Sequence, residues 1–460
     1  MYLRLLFGLF IAIISFNASA YNSSSITPPD STTKLLDKAG AMLLVDEGRA
    51  LFDEGKVKDA LNLFREAAAK DPYNWKPTYW ISSCHLHMSN FGFALKYAKE
   101  SLHTDPENID KEVYEIIGQS FHNVGQVDSA LIYYNKCLTQ LSKTRIKELK
   151  INEKIEQCNF VNAEKAAGKK SLRSKLQGEV NSGFNEYAPI LSKGGKEIYF
   201  TSRRNNTKGG KTNLEDDQEF FEDIYRAEWN GDDQKWDSIT NDIDRINSEG
   251  HDAITWIAPN GLMAYMTMNT SMLESKKNRT SSAEICEITF TDKGKWSTPK
   301  IIKNKTINTS FFESGATLTA DGNTMYFVSD RNLKNSTDLY VVQKVGKKWG
   351  DAIALSDSIN SKGRETTPFI SADGRFLFFS SDGHPGMGGL DVFVSENVGE
   401  NVWTTPVNLG LMVNTVNNDS HFQYYPEIKK AILSGSEVIG QKSSLDIYEV
   451  DMSSFSYPKR

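Results

Sequence analysis

Cysteine, histidine and long apolar runs are all scarce in this chain. Only four Cys and seven His occur in 460 residues, and Cys84, Cys137, Cys158 and Cys286 have the spacing of neither a zinc site nor a redox pair. Buried thiols are the expected state; a bridge between Cys137 and Cys158 on neighbouring helices is the alternative that spacing leaves open. No two His stand at metal-ligand spacing and no Gly-x-Ser-x-Gly elbow is present. Positive charge is not in excess either. A formal net charge of −6 and a pI near 5.8 argue against a nucleic-acid partner, because such surfaces need a basic patch to offset phosphate. Past the N-terminus no segment reaches the roughly 18 apolar residues of a membrane helix.

The first twenty residues, MYLRLLFGLFIAIISFNASA, combine an early cation at Arg4, an apolar stretch from Leu5 to Phe16 and small residues at Ala18 and Ala20. This pattern predicts a secretory signal peptide cut after Ala20. No Cys follows the cut, so a lipid anchor is not expected. The exported chain would lie in the periplasm or on the periplasmic face of an outer membrane, with the cell surface as the alternative. Residues 21–36 read as a linker.

A helical region is expected over 37–168. Ala60 and Pro72 in KDALNLFREAAAKDPYN return as Ala94 and Pro106, each 34 residues later. GQVDSALIYYNKCL places Ala130, Tyr134 and Cys137 in the same phase after two more residues. Gly48 and Gly118 hold matching places in first helices, where two helices must approach closely; Ser82 and Ala98 depart from the pattern in the second repeat. This resembles the tetratricopeptide repeat. Residues 143–170 read as a capping helix. By that family's spacing Arg49, Tyr79, His87, Gln119 and Asn123 would line a concave groove that takes a protein segment, Arg49 and Tyr79 both exposed.

From 171 to 453 a longer unit repeats. An acidic residue stands five positions after an Asn in five places: Asn181/Glu186, Asn247/Asp252, Asn308/Glu313, Asn360/Glu365 and Asn414/Asp419. Strand-like segments follow each one, and Trp236, Trp296, Trp349 and Trp403 close four of the units, 11 or 12 residues before the next Asn. Such repetition predicts an all-β propeller of five blades, with six as the alternative if a cryptic blade hides in an insertion. The fifth blade runs out of chain, so its outer strand should come from residues 173–180. The acids, present in every blade, read as structural, bonding backbone or hydroxyl groups. Residues 454–460 read as a tail.

The stretch GHPGMGGLD at 383–391 looks at first like a phosphate cradle, but it connects two strands and no helix N-terminus follows it. It is expected to be a hairpin connection. The acidic run at 215–223 lacks the alternation and glycine of an EF-hand and is expected to be a solvated loop, a Ca²⁺ site being the alternative. No cofactor or metal is expected.

The hairpin SDG…GGLDVFVS, the strand VWTTPVNLG and EYAPILSKGGKEIYFTSRR are similar to the TolB-like, WD40-related repeats of Bacteroidota envelope proteins. Signal peptide, tetratricopeptide repeats and propeller in that order resemble exported proteins that often end in an OmpA-like peptidoglycan-binding domain, one of them an accessory of type IX secretion. The resemblance implies a non-catalytic interaction scaffold with partners in the envelope or secretion machinery. This chain stops after the fifth blade, so direct peptidoglycan binding is not expected. The alternative from another class is binding or hydrolysis of a glycan or peptide by the propeller.

Overall fold

The computed structural model describes residues 35–212, 219–269, 283–332, 336–439 and 442–457. The expected signal peptide, nearly all of the linker, much of the acidic run at 215–223 and the last three residues lie outside these ranges.

The first half is a stack of helical hairpins: α1 (Leu35–Asp53) with α2 (Val57–Lys70), α3 (Trp75–His87) with α4 (Phe91–Thr104), and α5 (Val113–Asn123) with α6 (Val127–Gln140). Close approach within a hairpin explains the glycines. A Cβ on Gly48 would lie 2.6 Å from the Phe64 ring, and one on Gly118 would lie 2.8 Å from the Tyr134 ring. The middle hairpin solves the same problem with two small residues, Ser82 and Ala98, both fully buried, and Ser82 Oγ donates to Tyr79 O at 2.6 Å. The single capping helix expected at 143–170 is two, α7 (Lys143–Glu148) and α8 (Ile151–Ala166). Lys150, in the left-handed region at φ 52°, breaks them. The break turns α8 back so that Ile151, Cys158 and Val161 bury against Ala130, Tyr134 and Cys137 of α6. All four cysteines are buried free thiols.

The second half comprises β1 (Arg173–Lys175), β2 (Glu186–Ser192), β3 (Glu197–Ser202), β4 (Asp223–Asn230), β5 (Lys235–Thr240), β6 (Asp252–Ile257), β7 (Met263–Asn269), β8 (Ala283–Thr289), β9 (Lys300–Ile301), β10 (Glu313–Leu318), β11 (Thr324–Ser329), β12 (Asp338–Val345), β13 (Lys348–Trp349), β14 (Ile353–Ala354), β15 (Glu365–Ile370), β16 (Phe376–Ser381), β17 (Asp391–Gly399), β18 (Val402–Trp403), β19 (Val407–Asn408), β20 (Asp419–Tyr425), β21 (Lys430–Ile439) and β22 (Lys442–Asp451). They form five antiparallel sheets in the order β2 to β5, β6 to β9, β10 to β14, β15 to β19, and β20-β21-β22-β1. This is a five-bladed propeller. As expected, the last blade borrows its outer strand: β1 pairs with β22, Arg173 opposite Val450, so chain entry and chain exit are tied into one sheet.

The recurring asparagines bind blade to blade. Asn247 accepts from Ile224 N at 2.8 Å and donates to Ile224 O at 2.9 Å, the two bonds a neighbouring strand would make. Asn308 does the same to Ile285, Asn360 to Leu339 and Asn414 to Val392. Asn181 closes the circle on Ile447 of the fifth blade. Each acid opens an innermost strand and holds the turn leading into it. Glu313 accepts from Thr309 N at 2.9 Å and Thr309 Oγ1 at 2.6 Å, with the same pattern from Ser182 to Glu186, Ser248 to Asp252, Ser361 to Glu365 and Thr415 to Asp419. A cation completes three of these turns, Arg204 beside Glu186, Arg331 beside Glu313 and, from β1, Arg173 beside Asp419.

Three of the four recurring tryptophans are buried: Trp236, Trp296 and Trp403, at 5, 6 and 5% exposure. They wedge against the preceding blade, Trp296 edge-on to Tyr199 and Trp403 edge-on to Tyr326. Trp349 is only half-buried, although it too packs toward the preceding blade, beside Tyr265. Within the described part of the expected tail, Tyr457 stacks on Phe376 at a ring separation of 3.6 Å. Trp403→Ala is expected to destabilise the propeller by about 3–5 kcal/mol and Trp349→Ala by clearly less, read as paired urea denaturation curves. Equal losses would contradict the wedge.

Candidate functional site

The glycine-rich connection at 383–391 is where the two halves meet. Asp391, the first residue of β17, is buried and accepts from Met387 N through Oδ2, which folds the loop back on itself. Burial pushes this carboxyl well above the usual range. The loop lies against the turn at 414–418 so tightly that a Cβ on Gly388 would sit 1.9 Å from Val416 O. Leu390 N donates to Asn418 Oδ1 at 2.9 Å, so its amides serve the fold rather than an anion.

Folded this way, the loop pushes Met387 out into the helical half. The side chain is fully buried among Val127, Tyr134, Cys158 and Val161. Polar bonds ring it. His122 Nε2 donates to Met387 O at 2.8 Å, Gln157 Nε2 to Gly388 O at 2.8 Å, Asn417 Nδ2 to Asn123 O at 3.0 Å, and Leu411 N to Glu164 Oε2 at 3.2 Å. At the far end of the stack Lys58 Nζ reaches Glu219 at 2.8 Å. Between these ends α4 lies against β22 of the fifth blade, and an open space remains beside that contact.

The gap between these contacts is a cleft of about 620 Å³. The helical half lines it with Lys58, His87 and Asn90, and the propeller with Asn185, Arg203 and Asn418. A second cavity of about 550 Å³ follows the propeller axis, with Tyr187, Ile254, Gly315, Thr367 and His421 contributed by the five innermost strands. Tyr187 and Glu222 line both spaces, so the cleft opens at the channel mouth. Glu222 is a hub there: Tyr187 OH donates to it at 2.7 Å, His251 Nδ1 bonds its other oxygen, and Arg203 stands 3.6 Å away. Among the described residues no group of three His, Cys, Asp or Glu is placed to hold a metal ion, and no helix is long and apolar enough to cross a membrane.

The five residues expected in one groove are not gathered into one surface. Arg49 is exposed and lies over the Trp80 ring at 5.2 Å. Tyr79, expected to be exposed, is 8% exposed, because α5 packs over it, and burial drives its hydroxyl pKa upward. His87 lines the cleft, edge-on to Phe52. Gln119 accepts from Lys154 of α8 at 3.1 Å, and Asn123 gives its carbonyl to the propeller. His251 and Asp391 were not singled out from sequence, whereas Glu222 belongs to the acidic run at 215–223 expected to be a solvated loop; its described end is instead buried, Glu222 beneath Tyr187 and Asp223 opening β4. For Asp391 a signal existed: an acid recurs in the third strand of every blade, in EDIY, TDLY, LDVF, LDIY and, as Glu284, in AEIC, and opens that strand in three of them.

No family model matches the chain, and no curated protein does. Solved structures do. The first TPR of Spaghetti (RPAP3) bound to HSP90 peptide SRMEEVD is 20% identical and covers 25% of this chain and 96% of its own, with a TM-score of 0.23. The first TPR domain of human RPAP3 is 19% identical over 29% of this chain and 99% of its own, TM-score 0.25. The Arabidopsis OM64 TPR domain is 14% identical over 25% and 98%, TM-score 0.23.

His122 gives the interface a pH signature. Burial lowers its pKa to about 4, against about 6.5 in an unfolded chain. Between those values the unfolded chain takes up a proton that the folded one refuses, so stability falls as pH drops from about 6.5 toward 4. The stability advantage of the native chain over His122→Gln should therefore shrink between pH of about 7.5 and about 4.5 in urea denaturation. An advantage independent of pH would contradict the buried neutral imidazole.

Proposed function

We propose that this chain is a non-catalytic scaffold of the cell envelope, exported by its first twenty residues, that holds a protein partner on the surface shared by its helical and propeller halves. One observation carries the reading. The two repeat units, each of a kind that presents side chains to partners, are joined by a dedicated loop so that residues from both face a single cleft. The sequence resemblance to envelope proteins supports the location and points to envelope assembly or type IX secretion as the process. A second reading, binding or turnover of a peptide or glycan in the channel, draws on the His251–Glu222 pair, which has the form of a base held by its orienting acid. Turnover by the purified chain that is lost in His251→Gln would select it.

The test is affinity isolation of the tagged full chain from cross-linked envelopes, beside Met387→Asp, which puts a charge into the apolar socket and should part the halves while each keeps its own core. A defined protein should be recovered with the native chain in near-stoichiometric amount and fall about ten-fold or more with the variant, the loss expected when half of a bipartite surface is withdrawn. Equal recovery would assign the partner to one half alone. No stoichiometric partner would contradict the scaffold.

A further inference from the structure

The propeller contains five asparagines that each hold a stretch of main chain with both ends of the carboxamide, oxygen to N–H and nitrogen to C=O. Two more asparagines, Asn185 and Asn418, make only half of that contact. Each stands one residue before an innermost strand, in the neighbouring first and fifth blades. Asn185 Oδ1 accepts from Leu445 N at 3.0 Å, and Asn418 Oδ1 from Leu390 N at 2.9 Å. These bonds fix which end of each amide is oxygen. Among the described residues neither Nδ2 has a partner. Both side chains line the cleft, Asn418 exposed and Asn185 partly so. In the other three blades the same ring position holds His251, Phe312 and Arg364. The half-used pair thus occurs where the helices overhang the propeller.

We propose that Asn185 and Asn418 are the specificity-determining contacts of a peptide site in the cleft, donating through Nδ2 to two main-chain carbonyls of an extended segment of a partner protein. The proposal rests on the scaffold reading and names the site and the ligand chemistry. Two amide donors set one blade apart suit the regularly spaced carbonyls of an extended chain, and the cleft volume is that of a short-peptide or small-ligand site. Arg203 adds a fixed cation on the same wall, its Nε held by Phe220 O at 2.6 Å. Main-chain recognition of this kind tolerates varied side chains, as strand addition does.

The probe is a random dodecapeptide library displayed on phage and selected on the full chain, with enriched peptides then synthesised and titrated. Asn185→Asp with Asn418→Asp keeps each accepting oxygen and replaces each donor, so binding should weaken by about ten-fold or more. Asn185→Ala with Asn418→Ala repeats the comparison without added charge, and an unchanged melting temperature certifies the fold. Arg49→Ala, outside the cleft wall, should leave binding within about two-fold. Peptides indifferent to both asparagine pairs but lost in Arg49→Ala would overturn the cleft site and leave the scaffold standing on its helical groove. No enriched peptide overturns the proposal, as does an oligosaccharide from a glycan array that binds with the same dependence on Asn185 and Asn418.

Discussion

An asparagine side chain that imitates a β-strand is the interaction on which the rest of this structure depends. Blades touch mainly through apolar side chains, which fix separation but tolerate sliding. The asparagine before each innermost strand removes that freedom, because it pairs with one residue of the preceding blade, both N–H and C=O. Removing it would leave two buried main-chain groups unpaired, at about 1–3 kcal/mol each. Ring closure needs all five, the last reaching back from Asn181 to Ile447 beside the borrowed strand β1. With the blades locked, every acid falls at the same height, and so do the residues just before the acids. That is how Asn185, His251, Phe312, Arg364 and Asn418 come to ring one mouth of the channel. Just inside the mouth the innermost strands bulge, with Ala188, Thr367 and His421 at positive φ and Gly315 at the equivalent place; for the three residues that carry a Cβ this is a strained conformation that a firmly held frame sustains.

The helical half is positioned from that frame. Fourth- and fifth-blade geometry presses the 383–391 loop against the 414–418 turn, and the only direction left for Met387 is outward, into the socket formed where α8 folds back over α6. The turn at Lys150 that sets α8 and the close glycine packing at 388 are therefore parts of one joint, although 238 positions separate them. A joint with an apolar centre and a ring of hydrogen bonds behaves like a small interior core. The cleft follows from where that joint sits: contacts at α8, between α4 and β22, and at Lys58 hold the stack beside the channel mouth and leave a space next to it.

Much of the architecture was legible because repeats print their physics many times. Gly48 and Gly118 announced close helix pairs, and the Asn and acid spacing announced five equivalent blades and the missing outer strand. What the asparagines bind was not legible, since each partner lies in the blade before, at a residue such as Ile224 or Leu339 that no pattern marks. Tyr79 was misplaced because a repeat template fixes which side of a helix a residue occupies, whereas its burial depends on how α5 packs over it. The candidate site was the least legible part. Glu222 and His251 are 29 residues apart, and Met387 is 265 residues from His122. Such contacts arise once, between different repeats, so no periodicity reveals them. The glycines of 383–391 were visible and read as a connection between two strands, which they are, but nothing in the segment says that its methionine is an anchor.

The central claim is that the two halves form one body joined through Met387. Spin labels at Leu43 on α1 and Val345 on β12, both well exposed at 71 and 76%, report the separation of the halves directly when placed on the full chain and read by pulsed electron resonance. The account predicts one narrow distance in the otherwise native protein and a broad distribution once Met387→Asp opens the joint. A broad distribution in the native protein, unchanged by that substitution, would contradict it.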